Sequence, residues 1–148
     1  MTDANETVAV MDERISSFLS SQTNLTLAVS TNNSPYCANC FYAFVKDENL
    51  LVFKSKPETT HIQITFKNPY VAGTVTPDVL EKTRVQGIQF TGKIISPDKS
   101  ISDKAKDAYY MKYPFALAFP GEIWIIEMLT LKYTDNKLGF GKRLEWKK

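Results

Sequence analysis

The 148-residue chain has few of the residues on which several common protein classes depend. It has two cysteines and one histidine, which are too few for a disulfide framework or for a complete set of zinc ligands. Basic and acidic residues nearly balance, 18 against 16, and the basic ones are dispersed, which argues against a nucleic-acid-binding protein. We therefore expect a single globular domain over 1–148, without a metal, that buries an ordinary core.

Long apolar runs and glycine-rich phosphate loops are missing as well. No apolar run approaches the length needed to cross a bilayer, and the polar start of the chain lacks the basic and apolar parts of a signal peptide. These observations predict a cytoplasmic protein without membrane association. No Walker A loop and no Gly-x-Gly-x-x-Gly follows a strand, which excludes the P-loop and dinucleotide-binding classes.

Aromatic residues, by contrast, make up 12% of the chain, with nine Phe and seven Tyr. Such residues favour strands, and the apolar pattern alternates through most of the chain after an initial helix at about 7–21, for which Asn5 or Thr7 is a candidate cap. Strands are predicted at 25–31, 36–45, 50–54, 70–76, 84–95 and 122–133, with a last strand or extended tail at 137–146. Two further helices are predicted at about 57–67, with Pro57 at the first position, and 99–112. This order predicts a mainly β (α+β) fold, a six-stranded antiparallel split β-barrel with two to three peripheral helices.

A Cys-x-x-Cys pair at Cys37 and Cys40 suggests redox chemistry, but its context argues against it. A redox pair needs its first cysteine at a helix N-terminus, whereas this pair enters a predicted strand. Residues three apart on a strand point to opposite faces, so the two thiols cannot readily meet. We expect two small buried residues of the sheet.

The segment 54–61 combines two lysines, three hydroxyl side chains and the single histidine, His61. It joins a strand to a predicted helix, where backbone N–H groups, hydroxyls and positive charge would suit a phosphate. A polar loop that merely caps a helix would have a similar composition, so both interpretations stay open from the residues alone.

Three motifs in this order resemble the pyridoxamine 5′-phosphate oxidase-like FMN-binding split barrels. They are Val-Ala-Gly-Thr-Val at 71–75, Gly-Ile-Gln-Phe-Thr-Gly at 87–92 and Tyr-Thr-Asp-Asn-Lys-Leu-Gly-Phe-Gly-Lys-Arg at 133–143. More narrowly, they are similar to the small uncharacterised YhbP-type branch. The resemblance implies a homodimer with FMN at the subunit interface.

The resemblance also assigns roles to residues. The second strand would run beside the flavin ring through backbone groups, and the phosphate clamp would follow the third strand, while a ring and an arginine would come from the other subunit. In the order of these roles, the residues are Ala38, Asn39, Cys40 and Phe41 for the ring, Lys54 and Ser55 for the ribityl chain or phosphate, Thr59, Thr60 and His61 for the clamp, and Tyr133 and Arg143 from the partner.

Two departures from the family pattern affect the expected function. Thr60 and His61 replace the two cations of the clamp, and an imidazole is only partly charged near neutral pH. Tyr133 replaces a tryptophan. We therefore expect weaker FMN binding than in the oxidases, and no catalytic side chain is identified. The main hypothesis is a flavin-dependent oxidoreductase of unknown substrate. The alternatives are a flavin or haem-type binding module without turnover and a split barrel with a vacant site that acts through interactions.

Overall fold

A computed structural model describes residues 10–138 and 143–148. Seven strands and three α-helices make up these ranges. In chain order they are α1 (Glu13–Ser21), β1 (Asn24–Thr31), β2 (Ser34–Val45), β3 (Leu50–Ser55), α2 (Thr60–Lys67), β4 (Tyr70–Val75), β5 (Gln86–Ile95), α3 (Lys99–Lys112), β6 (Glu122–Asp135) and β7 (Arg143–Lys147). None of the helices in these ranges is long and apolar enough to cross a bilayer.

The strands form an antiparallel barrel of six strands with one strand added. Hydrogen bonding follows the order β3-β2-β1-β4-β5-β6-β7, and a further pairing of β3 with β6 closes the six-stranded ring. β7 pairs with the second half of β6, outside the ring. The predicted fold class is therefore confirmed.

Local chemistry explains the turns and the bends of this barrel. Asn32 and Asn33 connect β1 to β2 with φ of 49° and 64°, a conformation that asparagine tolerates better than most residues. Gly92 lies where the register between β5 and β6 shifts. A Cβ at Gly92 would approach Ile126 Cγ2 to 2.6 Å, which explains why a glycine occupies this irregular position of the sheet.

Helices close the two ends of the barrel. α1 covers one end, where the Tyr42 hydroxyl donates to the Leu19 carbonyl over 2.6 Å. α2 lies at the other end, and Ile62 enters the same buried core as Leu19. α3 instead packs on the outside of β2, β3 and β6, around Tyr109.

Several predicted boundaries are wrong. α1 begins at Glu13 rather than near residue 7, because the Asp12 carboxylate caps it by accepting from the Arg14 N–H at 2.9 Å; the candidate caps Asn5 and Thr7 lie outside the described residues. α2 begins at Thr60, so Pro57 belongs to the preceding turn. β6 extends two residues beyond the predicted end, to Asp135.

Candidate cofactor site

The predicted phosphate segment lies between the end of β3 and the start of α2. Thr59 occupies the N-cap position of α2, but its side chain makes no capping hydrogen bond. Its Oγ1 instead donates to the Lys56 carbonyl at 2.8 Å. The first N–H groups of a helix have no partner within the helix, and here no side chain of the described residues caps them. The start of α2 therefore presents backbone donors and the positive end of the helix dipole to a ligand.

His61 stands in the first turn of α2 and points back to β3. Its Nε2 lies 2.8 Å from Ser55 Oγ and 3.5 Å from Thr59 Oγ1. Burial lowers the pKa of His61 below the usual value of 6.5, because desolvation disfavours the imidazolium. In the free protein at neutral pH the ring is therefore mainly uncharged. Both of its side-chain contacts are with hydroxyl groups.

Cys40 contributes an inert thiol next to this cluster. Burial raises the pKa of the Cys40 thiol to about 11, and a hydrogen bond with Ser55 opposes the effect only in part. The thiol is therefore protonated and is not poised as a nucleophile. Cys37 is exposed and Cys40 is buried, and both are free. The expectation that both are buried is therefore wrong for Cys37, because residues three apart on a strand point to opposite faces.

The first part of β2 offers an open strand edge. Residues 34–41 pair with β1, but β3 pairs only with residues 42–45, and no other strand in the described ranges occupies that side. Backbone groups of alternate residues point to opposite sides of a strand. Those of Ala38 and Cys40 therefore pair with β1, as the Tyr42 N–H does with the Thr23 carbonyl, while those of Asn39 and Phe41 face the edge that the barrel does not use. Asn39 Oδ1 accepts from Thr26 Oγ1 at 2.9 Å, while the Phe41 ring is 54% exposed.

The ammonium group of Lys54 points away from the Ser55 and His61 side chains. Its Nζ donates to the Ala116 carbonyl at 2.8 Å and to the Phe119 carbonyl at 2.7 Å. It also lies 5.0 Å from the centre of the Tyr110 ring. In this arrangement Lys54 holds the segment after α3, and Lys56, which is exposed, is the lysine left near the start of α2.

Tyr133 and Arg143 lie in a different part of the subunit. The Tyr133 ring is only 3% exposed and packs 5.3 Å from the Phe18 ring of α1. Its hydroxyl accepts from Gln86 Nε2 at 2.9 Å and donates to Asp135 Oδ2 at 3.2 Å. Arg143 is exposed at the start of β7, and residues 139–142 of the motif between them lie outside the described residues. Buried in this way, the Tyr133 ring has no exposed face on which a flavin could stack, and its predicted role stays a prediction.

One residue of the site went unnoticed in the sequence. The Trp124 indole N–H donates to the Ser55 carbonyl at 2.8 Å and thereby fixes the end of β3. The two residues are 69 positions apart, and only the pairing of β3 with β6 brings them together. No local pattern in the sequence indicates this contact.

Comparison with known proteins places the chain among bacterial relatives of nearly the same length. A UPF0306 protein of Photorhabdus laumondii is 35% identical over 131 residues, which are 88% of this chain and 92% of the relative. The UPF0306 protein YhbP of Salmonella schwarzengrund is 36% identical over 132 residues, 89% of this chain and 90% of that protein. The chain belongs to the UPF0306 family. No family profile matches it.

Solved structures share the fold of this UPF0306 protein at low sequence identity. A heme-binding protein of Mycobacterium smegmatis has a TM-score of 0.73 at 14% identity, covering 88% of this chain and 55% of that one. An FAD-binding protein of Mesorhizobium loti has a TM-score of 0.68 at 17% identity, with 86% and 96% covered. A candidate pyridoxamine 5′-phosphate oxidase of Listeria innocua has a TM-score of 0.61 at 15% identity, with 82% and 95% covered. The resemblance to the pyridoxamine 5′-phosphate oxidase-like split barrels is thus confirmed at the level of the fold.

Proposed function

We propose that this UPF0306 protein binds FMN as a homodimer and uses it as a flavin-dependent oxidoreductase. The observation that carries the proposal is the meeting of two features in one place. The open backbone edge of β2 around residues 39–41 includes Cys40, whose thiol lies beside Ser55. Ser55 in turn contacts His61 at the uncapped start of α2.

The groups of this site suit the two parts of FMN. Backbone N–H and C=O groups along the β2 edge can pair with the polar edge of a flavin ring, as an added strand would. The N–H groups at the start of α2, with the hydroxyls of Ser55, Thr59 and Thr60, suit the phosphate oxygens. Lys56 supplies a positive charge nearby. When bound, the flavin would supply the redox chemistry, while the chain binds and orients it.

A homodimer accounts for the separation of the predicted site residues within one subunit. Tyr133 and Arg143 lie toward the α1 end of the barrel, whereas Ser55 and His61 lie at the α2 end. A second copy can bring Arg143 to the phosphate, where its fixed charge would offset the loss of the family's cations. Exposed apolar side chains support association. Those that form what we call the apolar face are Phe41, Phe115, Leu117 and Phe119, each more than half exposed.

A titration of FMN against the purified protein tests the proposal, with flavin fluorescence as the signal. We expect saturable quenching at one FMN per subunit. Replacing both Thr59 and Thr60 with Ala removes two hydroxyl groups and should weaken FMN binding at least tenfold, since even one hydrogen bond to a charged group contributes about 1.5–3 kcal/mol and tenfold corresponds to about 1.4 kcal/mol. Riboflavin, which lacks the phosphate, should bind the double variant as it binds the unchanged protein.

The matched control is Thr76→Ala. Thr76 is an exposed threonine just after β4, at the α1 end of the barrel, and its replacement should not change FMN affinity. If the double substitution leaves the FMN affinity unchanged, the assignment of the phosphate to the start of α2 is wrong. The absence of any FMN binding at high protein concentration would overturn the cofactor assignment and favour a haem-type ligand or a role through interactions.

The oxidoreductase part of the proposal needs a separate measurement. NADH or NADPH should bleach the absorbance of bound FMN in the absence of oxygen, and air should restore it. If bound FMN stays oxidised when either donor is added, the result favours a binding module that does not turn over with these donors.

A further inference from the structure

We infer that the site takes a phosphomonoester dianion together with one proton on His61, so that FMN binding and protonation of this imidazole are coupled. The inference rests on the proposed function, because it concerns the same site. It assigns His61 a specific task at the start of α2. The argument uses the contacts of the imidazole, the charges around it and the behaviour of the Ser55 hydroxyl.

The contacts of His61 allow either protonation state. The neutral ring accepts the Ser55 hydroxyl hydrogen at Nε2, across 2.8 Å. Once Nε2 is protonated it donates instead, and the Ser55 oxygen accepts. The Ser55 hydroxyl hydrogen is then released to donate to a phosphate oxygen. Protonation therefore adds a positive charge and also turns Ser55 into a donor for the ligand.

The surroundings of His61 contain no anion that would hold the proton without a ligand. No carboxylate in the described ranges lies within ion-pairing distance of its ring. On β2 the neighbouring titratable group is the protonated Cys40 thiol. On β3 it is the Lys54 ammonium, which is turned to the Ala116 and Phe119 carbonyls. Lys56 and Glu58 in the loop and Glu122, opposite Ser55 on β6, are exposed.

A phosphate at the start of α2 would supply the missing counter-charge. In the free protein, burial lowers the pKa of His61, since an uncompensated imidazolium is poorly solvated there. A nearby dianion favours the charged form and raises the pKa in the complex. A group whose pKa rises on binding makes binding stronger as the pH falls through the pKa of the complex, so FMN affinity should increase from pH 8 toward pH 6.5.

The experiment compares the unchanged protein with His61→Gln in FMN titrations at pH 8 and pH 6.5. Glutamine keeps a polar group beside Ser55 but cannot take up a proton. We expect the affinity of the unchanged protein to rise about fivefold relative to the variant between these pH values, because one unit of pKa corresponds to tenfold. The phosphate's own ionisation, near pH 6, affects both proteins equally and cancels in this ratio.

Calorimetry of the unchanged protein gives a second measurement that does not depend on the variant. FMN binding at pH 7 in buffers of different ionisation enthalpy should show net proton uptake. A singly protonated phosphate that binds as the dianion would release its proton. Net proton uptake has the opposite sign, so it indicates protonation of His61. FMN binding without proton uptake, or with the same pH dependence in both proteins, would overturn the coupling while leaving the proposed function intact. Failure to bind FMN at either pH would overturn both.

Discussion

At the scale of single residues, Gly73 in the middle of β4 has the least room for a side chain among the glycines in the described ranges. A Cβ there would lie 2.4 Å from both Phe90 Cζ and the Thr26 carbonyl oxygen. The Thr26 oxygen belongs to a paired strand, so it cannot move aside without disturbing the ladder. The motif Val-Ala-Gly-Thr-Val at 71–75 therefore has a structural reason for its glycine, which is close approach rather than an unusual φ.

We expect Gly73→Ala to lower the free energy of unfolding by about 2–3 kcal/mol, the upper range for overpacking a core. Chemical denaturation measures this value. The matched control is Gly87→Ala in β5, where the nearest atom to a new Cβ, the Val75 carbonyl oxygen, is 3.2 Å away. The control should cost less than about 1 kcal/mol. Equal effects at the two positions would contradict the steric explanation.

Asp135 is a second residue whose environment determines its effect. Its carboxylate is buried and accepts from Arg84 at 2.8 and 3.3 Å, from the Tyr133 hydroxyl and from the Lys137 N–H. The Arg84 hydrogen bonds are the largest cause of the lowered pKa of Asp135. A carboxyl group with a lowered pKa stabilises the fold above its unfolded-state pKa, near 3.9, and loses this contribution as the pH falls through its folded-state pKa.

Asp135→Asn should therefore destabilise the protein at pH 7 by about 2 kcal/mol, since it removes the charged partner of Arg84. The difference from the unchanged protein should shrink as the pH is lowered from 5 to 3, because the native carboxylate then becomes protonated. Thermal unfolding across this pH range provides the measurement. Asp107→Asn, at an exposed carboxylate of α3, is the control and should show neither effect.

At the scale of elements, Lys54 links two parts of the chain that the sequence does not connect. From the end of β3, its ammonium group reaches the carbonyls of Ala116 and Phe119, in and just after a 3₁₀ segment at Pro114–Ala118. The contact holds this segment, which carries much of the apolar face, against the barrel. The assignment of Lys54 to the phosphate stays a prediction, and the structure offers this other role.

Two lysine substitutions distinguish these roles. We expect Lys54→Met to accelerate hydrogen exchange at residues 115–121 and to leave FMN affinity within about twofold. Lys56→Met removes the exposed charge beside the start of α2 and should weaken FMN binding about threefold without changing exchange in that segment. The reverse pattern would show that the Lys54 ammonium turns to the phosphate when FMN binds.

At the scale of the whole molecule, the apolar face predicts how two copies associate. The Phe41 and Phe115 rings both pack against Tyr113, with ring centres 5.6 and 6.2 Å from it, so the two exposed rings are neighbours on the surface. A charge placed there would have to be desolvated in a dimer. This surface adjoins the open edge of β2, so loss of the dimer should also weaken FMN binding.

Phe115→Glu should convert a dimer into a monomer with the 16.8 kDa subunit mass, as measured by light scattering during gel filtration. Val79→Glu is the control, because Val79 is 80% exposed in the loop after β4 and lies outside the apolar face. The interface assignment fails if Phe115→Glu remains dimeric, or if the unchanged protein is already a monomer at micromolar concentration.

The sequence by itself determined the fold class, the approximate positions of the first two strands, the helix at 99–112 and the opposite faces of Cys37 and Cys40. These features depend on residue periodicity and on local backbone preferences, which act over a few positions. The start of α1 was harder to predict, because apolar Met11 fits the spacing of the helix although it lies before the Asp12 cap.

Only the tertiary structure decided which side chains meet at the candidate site. The closing pair of β3 with β6 brings Trp124 to Ser55. The carbonyls of Ala116 and Phe119 hold the Lys54 ammonium group away from the start of α2. Tyr133 is buried because α1 covers that end of the barrel. Such contacts join residues many positions apart, and a barrel is closed by long-range pairing whose partners leave no local trace in the sequence.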